Sequence, residues 1–248
     1  AEDHEVQRYQ VTTRALAPRF GGTSLFYLSS RGTGDGLWRF QDGQELEVWR
    51  GVDGVLSEPA AVSRDGSRIV VVVRESRKRH LAIVSADGRN SRTLAGSIDI
   101  QGAIGQGTAD WSPDGTWIVT GGSDAQGPGL FKIRVDSGVP VRLVAGQAVN
   151  PIWSSDGNLI VYSGPFFTGQ VALLGVRPDG TPVEMPHVRL RPGGYRFMPN
   201  GYGLVFLPFL QSLDFWLLDF ATKTPRQLTR LSNQGVLRTF DITPDGKQ

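Results

Sequence analysis

Ala109-Asp110-Trp111-Ser112-Pro113-Asp114-Gly115-Thr116-Trp117-Ile118-Val119 joins the two chemistries that decide the fold. Asp followed by Gly makes a tight turn, because the Asp side chain bonds backbone two residues on and Gly accepts positive φ. The residues that follow, Trp117-Ile118-Val119, are aromatic and β-branched, which is strand chemistry. The same pairing returns as Ser63-Arg64-Asp65-Gly66, Ser154-Ser155-Asp156-Gly157, Met198-Pro199-Asn200-Gly201 and Thr243-Pro244-Asp245-Gly246. Successive turn glycines are 49, 42, 44 and 45 residues apart, and a degenerate copy ending in Gly21-Gly22 lies 45 before Gly66. A fixed period of this length marks a repeat architecture.

A second turn series falls between the first: Asp42-Gly43, Asp87-Gly88, Asp136-Ser137-Gly138 and Asp179-Gly180, with Ala221-Thr222-Lys223-Thr224 in its place once. Its glycines follow those at 21, 66, 115 and 157 by 22, 22, 23 and 23 residues, so the two series keep step. Short β-branched or aromatic segments separate the turns, among them Ile69–Val73, His80–Val84, Trp117–Thr120, Leu130–Arg134 and Leu204–Leu207. The spacing predicts four antiparallel strands per period. That is the unit of a β-propeller blade, whose faces stay dry only when its neighbours pack on both sides.

The stretch 109–119, together with Pro151-Ile152-Trp153-Ser154-Ser155-Asp156-Gly157, resembles the W-S-P-D-G repeat of TolB-type propellers. The resemblance runs over nearly the whole chain. It implies an all-β single-domain propeller over residues 1–248, and a protein or peptide partner in a periplasmic or extracytoplasmic setting. Related repeats occur in propellers attached to prolyl-oligopeptidase-like enzymes and in bacterial sensor domains, so the resemblance implies a fold more firmly than an activity. Blades are expected near 12–50, 55–96, 104–146, 147–186 and 187–231. A partial sixth at 235–248 would be completed in part by 1–11, where Val6–Val11 alternates like an outer strand, giving a six-bladed ring with its last blade incomplete.

The remaining composition narrows the function. Of 248 residues, 32 are Gly and 15 Pro, which favours turns over helices. No run of 18 apolar residues occurs, so no membrane insertion by this segment is expected, and Ala1 in place of Met reads as a mature or excised segment. Twenty-six basic against 24 acidic residues leave a formal charge of +2, too shallow a surplus for a nucleic-acid surface, and no sequence-specific nucleic acid partner is expected. Cys is absent, which removes disulfides, thiolate nucleophiles and Cys-ligated zinc.

Catalysis needs a constellation, and the three histidines, His4, His80 and His187, fall in different repeats. No H-E-x-x-H, P-loop or G-x-S-x-G is present. The expectation is therefore a chain that is not an enzyme, without catalytic residues, metal or cofactor. Each Asp-Gly turn offers one carboxylate and not a cage, and is read as structural.

Binding is expected where connectors vary in length, on the face that joins second to third strands and fourth strands to the next blade. Arg74, Arg77 and Arg79 form the densest basic cluster there and suit an anionic partner. Phe166, Phe167 and Phe209 put large apolar groups at hairpin tips, and Arg189 and Arg191 stand ready to orient an acidic group. Trp111 and Trp153, just before turns, read as inter-blade packing. The function expected is a recognition or sensor propeller within a larger bacterial protein. The alternatives are a sensor for a sugar or metabolite held in the central funnel, and a carbohydrate-active lyase or hydrolase.

Overall fold

The computed structural model describes residues 16–29, 36–50, 55–56, 58–94, 96–102, 107–167, 170–188, 190–208, 214–231 and 239–246. Strands Leu16–Gly21, Ser24–Ser29, Gly36–Gln41 and Gln44–Arg50 form blade 1 in sequential antiparallel order. Blade 2 has a split inner strand, Val55–Leu56 and Ala61–Val62, followed by Arg68–Glu75, Lys78–Ser85 and Ser91–Leu94. Blade 3 repeats that split with Asp99–Ile100 and Ala109–Trp111, then Trp117–Asp124, Gly127–Arg134 and Pro140–Ala145. Blade 4 comprises Val149–Trp153, Ile160–Phe167, Gln170–Val176 and Pro182–Val183. Blade 5 comprises Leu190–Phe197, Gly203–Pro208, Trp216–Asp219 and Pro225–Gln227. The innermost strands touch in succession around the axis, blade 1 on 2, 2 on 3, 3 on 4 and 4 on 5.

Strand alternation explains how the ring is held. In blade 2, Ile69, Val71 and Val73 pack with Phe26, Leu37 and Val48 of blade 1. The intervening Val70 and Val72 point the other way, into a cluster with Ile118, Phe131 and Ile133 of blade 3. Blades 3 and 4 meet through Val119, Leu130, Ile160 and Tyr162, and blades 4 and 5 through Val161, Leu173, Tyr195 and Phe206. Every second residue therefore serves a different interface, as a period of two requires. Trp111 and Trp153 join the 2–3 and 3–4 clusters respectively, as the sequence predicted.

The turns between first and second strands repeat one hydrogen-bond scheme. Ser63, Ser112 and Ser154 each donate Oγ–H to the turn Asp at 2.6 Å. The same Asp accepts the backbone N–H two residues on, and Gly66, Gly115 and Gly157 take φ of 71°, 67° and 78°. The Ser63 and Ser67 hydroxyls and the Ser67 N–H hold Asp65 down at about 2, and Asp114 and Asp156 are lowered for the same reason. A depressed carboxylate contributes stability above its unfolded pKa of about 3.9 and loses it as the pH falls through the folded value. The urea midpoint is therefore expected to fall as pH drops from about 4 to about 2, and Asp65→Asn to flatten part of that slope, measured as urea midpoints against pH.

The expected six-bladed ring is corrected to five blades. Residues 239–246 keep the repeat's turn, with Gly246 N–H donating to Thr243 O at 2.8 Å and Thr243 Oγ to Asp245 at 2.7 Å, but among the described residues they pair with no strand. Among the described residues their backbone has no ladder partner, and without one no sheet forms. The segment packs on the face of blade 5 turned away from blade 4, where Phe240 joins Val205, Leu207 and Leu217 and its ring meets Phe215 edge-on at 4.8 Å. The N-terminal stretch 1–11, expected to contribute an outer strand, lies outside the described residues.

Candidate functional site

Two places concentrate chemistry: a basic hairpin on blade 2 and the central channel. The hairpin differs from expectation in its strands, which run to Glu75 and resume at Lys78, leaving only Ser76-Arg77 as the connector. Ser76 takes φ 54°, the positive value a two-residue hairpin turn demands. Arg74 and Arg79 are consequently not in a loop but directly opposite one another in the ladder, and Glu75 opposes Lys78. Arg74, Arg77 and Lys78 are exposed. Arg79 is half-buried; its backbone N–H donates to Asp99 Oδ1 at 3.2 Å, and a Cβ on Gly102 would lie 3.1 Å from its Cζ and 3.3 Å from a Glu58 oxygen. The fold thus brings Arg74, Arg77 and Arg79 together. Phe166 and Phe167 end the second strand of blade 4, and Arg191 lies near the start of blade 5. The side chains of these three, and the whole of Arg189 and Phe209, lie outside the described residues.

The channel is built from equivalent positions on the inner strands. Arg19, Ala61, Asp110, Ile152 and Arg196 pair with Phe26, Val70, Val119, Val161 and Val205, which occupy the same register in their own blades. Asp241 precedes Gly246 by the interval that separates Asp110 from Gly115 and so takes the sixth place. These residues, with Phe20, Val62, Trp153, Phe197 and Ile242, wall a cavity of about 210 Å³ that reaches Pro244 in the last turn.

Hydrogen bonding at this level follows one rule. Trp153 N–H donates to Asp110 Oδ2 at 2.8 Å, and Phe20 N–H donates to Asp241 Oδ2 at 2.8 Å. Each carboxylate thereby ties its own inner segment to the following blade. Asp241 also holds Arg196, whose Nε is 3.4 Å from Oδ1, so this one side chain links blades 5 and 1. Arg19 is only 4% exposed and donates to Pro18 O at 2.6 Å. Burial lowers its guanidinium to about 9, repulsion from Arg196 adds to that, and Asp241 and Asp110 oppose it. Asp110 is pushed up from the ordinary carboxylate range by desolvation, against Arg196 and the Trp153 N–H.

The sequence reading missed all four charged channel residues. A signal was present: counting back from Gly115, Gly201 and Gly246 reaches Asp110, Arg196 and Asp241 at one repeat position, where an inner strand otherwise carries Ala61 or Ile152. Trp111, next to Asp110, drew the reading toward packing.

No protein-family model matches the chain. An uncharacterized protein of Agrobacterium fabrum is 38% identical over 153 residues, spanning 56% of this chain and 51% of the relative. A TolB structure from Agrobacterium tumefaciens superposes with a TM-score of 0.71 at 24% identity, over 95% of this chain and 88% of the other. TolB from Acinetobacter baumannii gives 0.67 at 14% identity, over 85% and 53%. The chain thus spans about half the length of the curated relative and of the Acinetobacter protein. The fold is that of the TolB-like β-propellers.

The expectation that the chain is not an enzyme is corrected by two further structures. An oligogalacturonate lyase in complex with manganese has a TM-score of 0.60 at 16% identity, over 84% of this chain and 62% of that one. A puromycin hydrolase also gives 0.60 at 16% identity, over 88% and 39%. Catalysts share this architecture, and the scatter of three histidines is no argument against chemistry when inner strands bring distant carboxylates and guanidiniums to one level. Among the described residues, no helix is long and apolar enough to cross a membrane.

Proposed function

We propose that the chain is a recognition propeller that docks an acidic segment of a partner protein or peptide on the face carrying the blade 2 hairpin. The observation that carries this reading is the like-charged pair Arg74 and Arg79, directly opposite in the ladder with Arg77 and Lys78 beside them. Like charges across a strand pair destabilise it by up to about 1 kcal/mol, and an anionic partner offsets that cost. A two-residue turn presents these cations rigidly, so little side-chain and loop entropy is lost on docking. The sequence reading adds Phe166, Phe167 and Phe209 as expected apolar anchors and Arg189 and Arg191 as expected further cations. The resemblance to TolB-type propellers supports a protein or peptide partner, a setting outside the cytoplasm and a place within a larger bacterial protein.

The test is a peptide selection on the wild-type chain, with each selected peptide remeasured by fluorescence anisotropy against Arg74→Glu/Arg77→Glu/Lys78→Glu. Selected peptides are expected to be acidic, to weaken as salt rises, and to lose at least about tenfold in affinity for the triple variant. Peptides that bind both proteins equally would place recognition elsewhere.

A further inference from the structure

We propose that Asn200, in the first turn of blade 5, is a site of self-modification that releases ammonia and becomes aspartate and isoaspartate. This turn joins first and second strands, at the opposite end of its blade from the hairpins that join second and third. The proposal therefore does not depend on the function assigned to the hairpin face.

Departure from the repeat gives the first argument. In the other turns of this series, Asp65, Asp114, Asp156 and Asp245 precede the glycine, and each accepts a hydroxyl from the residue two before it, Ser63, Ser112, Ser154 or Thr243, at 2.6 to 2.7 Å. Blade 5 has Met198 and Asn200 in those two places. The Asn200 amide therefore lacks the hydroxyl that fastens its counterparts. It is exposed, and its Oδ1 accepts the Tyr202 N–H at 3.4 Å, against 3.0 to 3.1 Å for the equivalent bonds of blades 2 to 4.

The placement of the reacting atoms gives the second. A side-chain carbonyl aimed at the N–H two residues on holds Asn200 Cγ beside the intervening nitrogen, that of Gly201. Attack of Gly201 N on Cγ closes a succinimide ring; the Cγ–Nδ2 bond breaks, and Nδ2 leaves as ammonia with the proton from Gly201 N. Water then adds to either ring carbonyl. Breaking the new N–Cγ bond gives aspartate, and breaking the original peptide bond gives isoaspartate. Gly201 has no side chain to shield its nitrogen. Its N–H donates to Met198 O at 2.8 Å in the closed turn, so attack follows local opening, which is low in free energy for an exposed turn at the end of a blade. Asn200-Gly201 is the single Asn-Gly of the sequence. Asn90 and Asn158 are also exposed but precede Ser91 and Leu159, and Asn150 precedes Pro151, whose nitrogen has no proton to give up.

The two products differ in consequence. Aspartate supplies this turn with the carboxylate that its counterparts use to hold the backbone. Isoaspartate instead lengthens the backbone where Gly201 packs closely on the blade 4 turn, since a Cβ on Gly201 would lie 2.8 Å from Ser155 Oγ.

Peptide mapping by tandem mass spectrometry of the folded chain, incubated at mildly alkaline pH, tests the proposal. Asn200 is expected to convert at least about tenfold faster than Asn90 or Asn158 in the same sample, to convert faster still as the pH is raised, and to give both aspartate and isoaspartate. Asn200→Gln, whose longer side chain closes its ring more slowly, is expected to stay intact over the same period. A portion of the chain unfolded in guanidinium chloride gives the rate without the turn. Conversion of Asn200 in the folded chain no faster than that of Asn90 and Asn158, or conversion confined to the unfolded portion, would overturn the proposal. Aspartate formed without isoaspartate would overturn it too, because that product bypasses the ring.

Discussion

Asp241→Ala is expected to lower the unfolding free energy by about 3 kcal/mol, a large share of the margin that keeps a domain folded. The substitution removes two contacts at once: the acceptor for Phe20 N–H at 2.8 Å and the counter-ion 3.4 Å from Arg196 Nε. What remains is worse than a missing bond. Arg196, 13% exposed, then shares the channel with Arg19 without the carboxylate that attracts both. Removing one member of a buried pair leaves the desolvation of the other less compensated, here with Asp110 as the remaining carboxylate acting on Arg196, and this is the larger part of the loss. Asp241→Asn keeps the volume and the amide oxygen for Phe20 and is expected to lose about half as much. Urea unfolding followed by Trp fluorescence reads both variants; equal stability of wild type and Asp241→Ala would show that residues 239–246 do not brace the ring.

The second large effect is expected at Trp111, where replacement by Ala costs about 4 kcal/mol. The indole is 5% exposed in the cluster between blades 2 and 3. It donates Nε1–H to Ala61 O at 3.0 Å, and the Arg68 guanidinium lies 4.7 Å above its ring. The Ala variant opens a cavity at an interface that cannot collapse, since strands on either side are pinned by their own ladders. It also removes the indole's hydrogen bond to Ala61 O. Trp111→Phe retains most of the apolar surface and separates the two effects, with an expected loss of about 1–2 kcal/mol. Denaturation curves with unchanged slope but shifted midpoint would fit this account; a midpoint unchanged in Trp111→Ala would refute the inter-blade role.

These effects fall where sequence was both informative and silent. The strands and turns were legible because an Asp-Gly turn followed by a β-branched run leaves few alternatives, and Val70 and Val72 against Ile69 and Val71 encode two interfaces by alternation alone. The blade count was not legible. Thr243-Pro244-Asp245-Gly246 carries the repeat's turn as plainly as Ser112–Gly115 does, yet a turn motif does not say whether a ladder partner stands beside it. The basic cluster was visible, but its geometry was not: the two-residue turn at Ser76-Arg77 sets Arg74 opposite Arg79, a register that composition does not reveal. The channel charges escaped because closure, not local pattern, makes Arg19 and Arg196 neighbours across most of the chain. For the same reason, the spacing of histidines along the sequence does not decide whether the ring can carry chemistry.

Amide hydrogen exchange at Phe20 tests most directly whether blade 1 is joined to blade 5 through residue 241. Phe20 N–H is expected to be strongly protected in the wild-type chain and to exchange rapidly in Asp241→Ala, while Trp153 N–H, held by Asp110 in the same manner, keeps its protection. A Phe20 amide that exchanges freely in the wild type, or at the same rate in both proteins, would contradict a ring closed at this point.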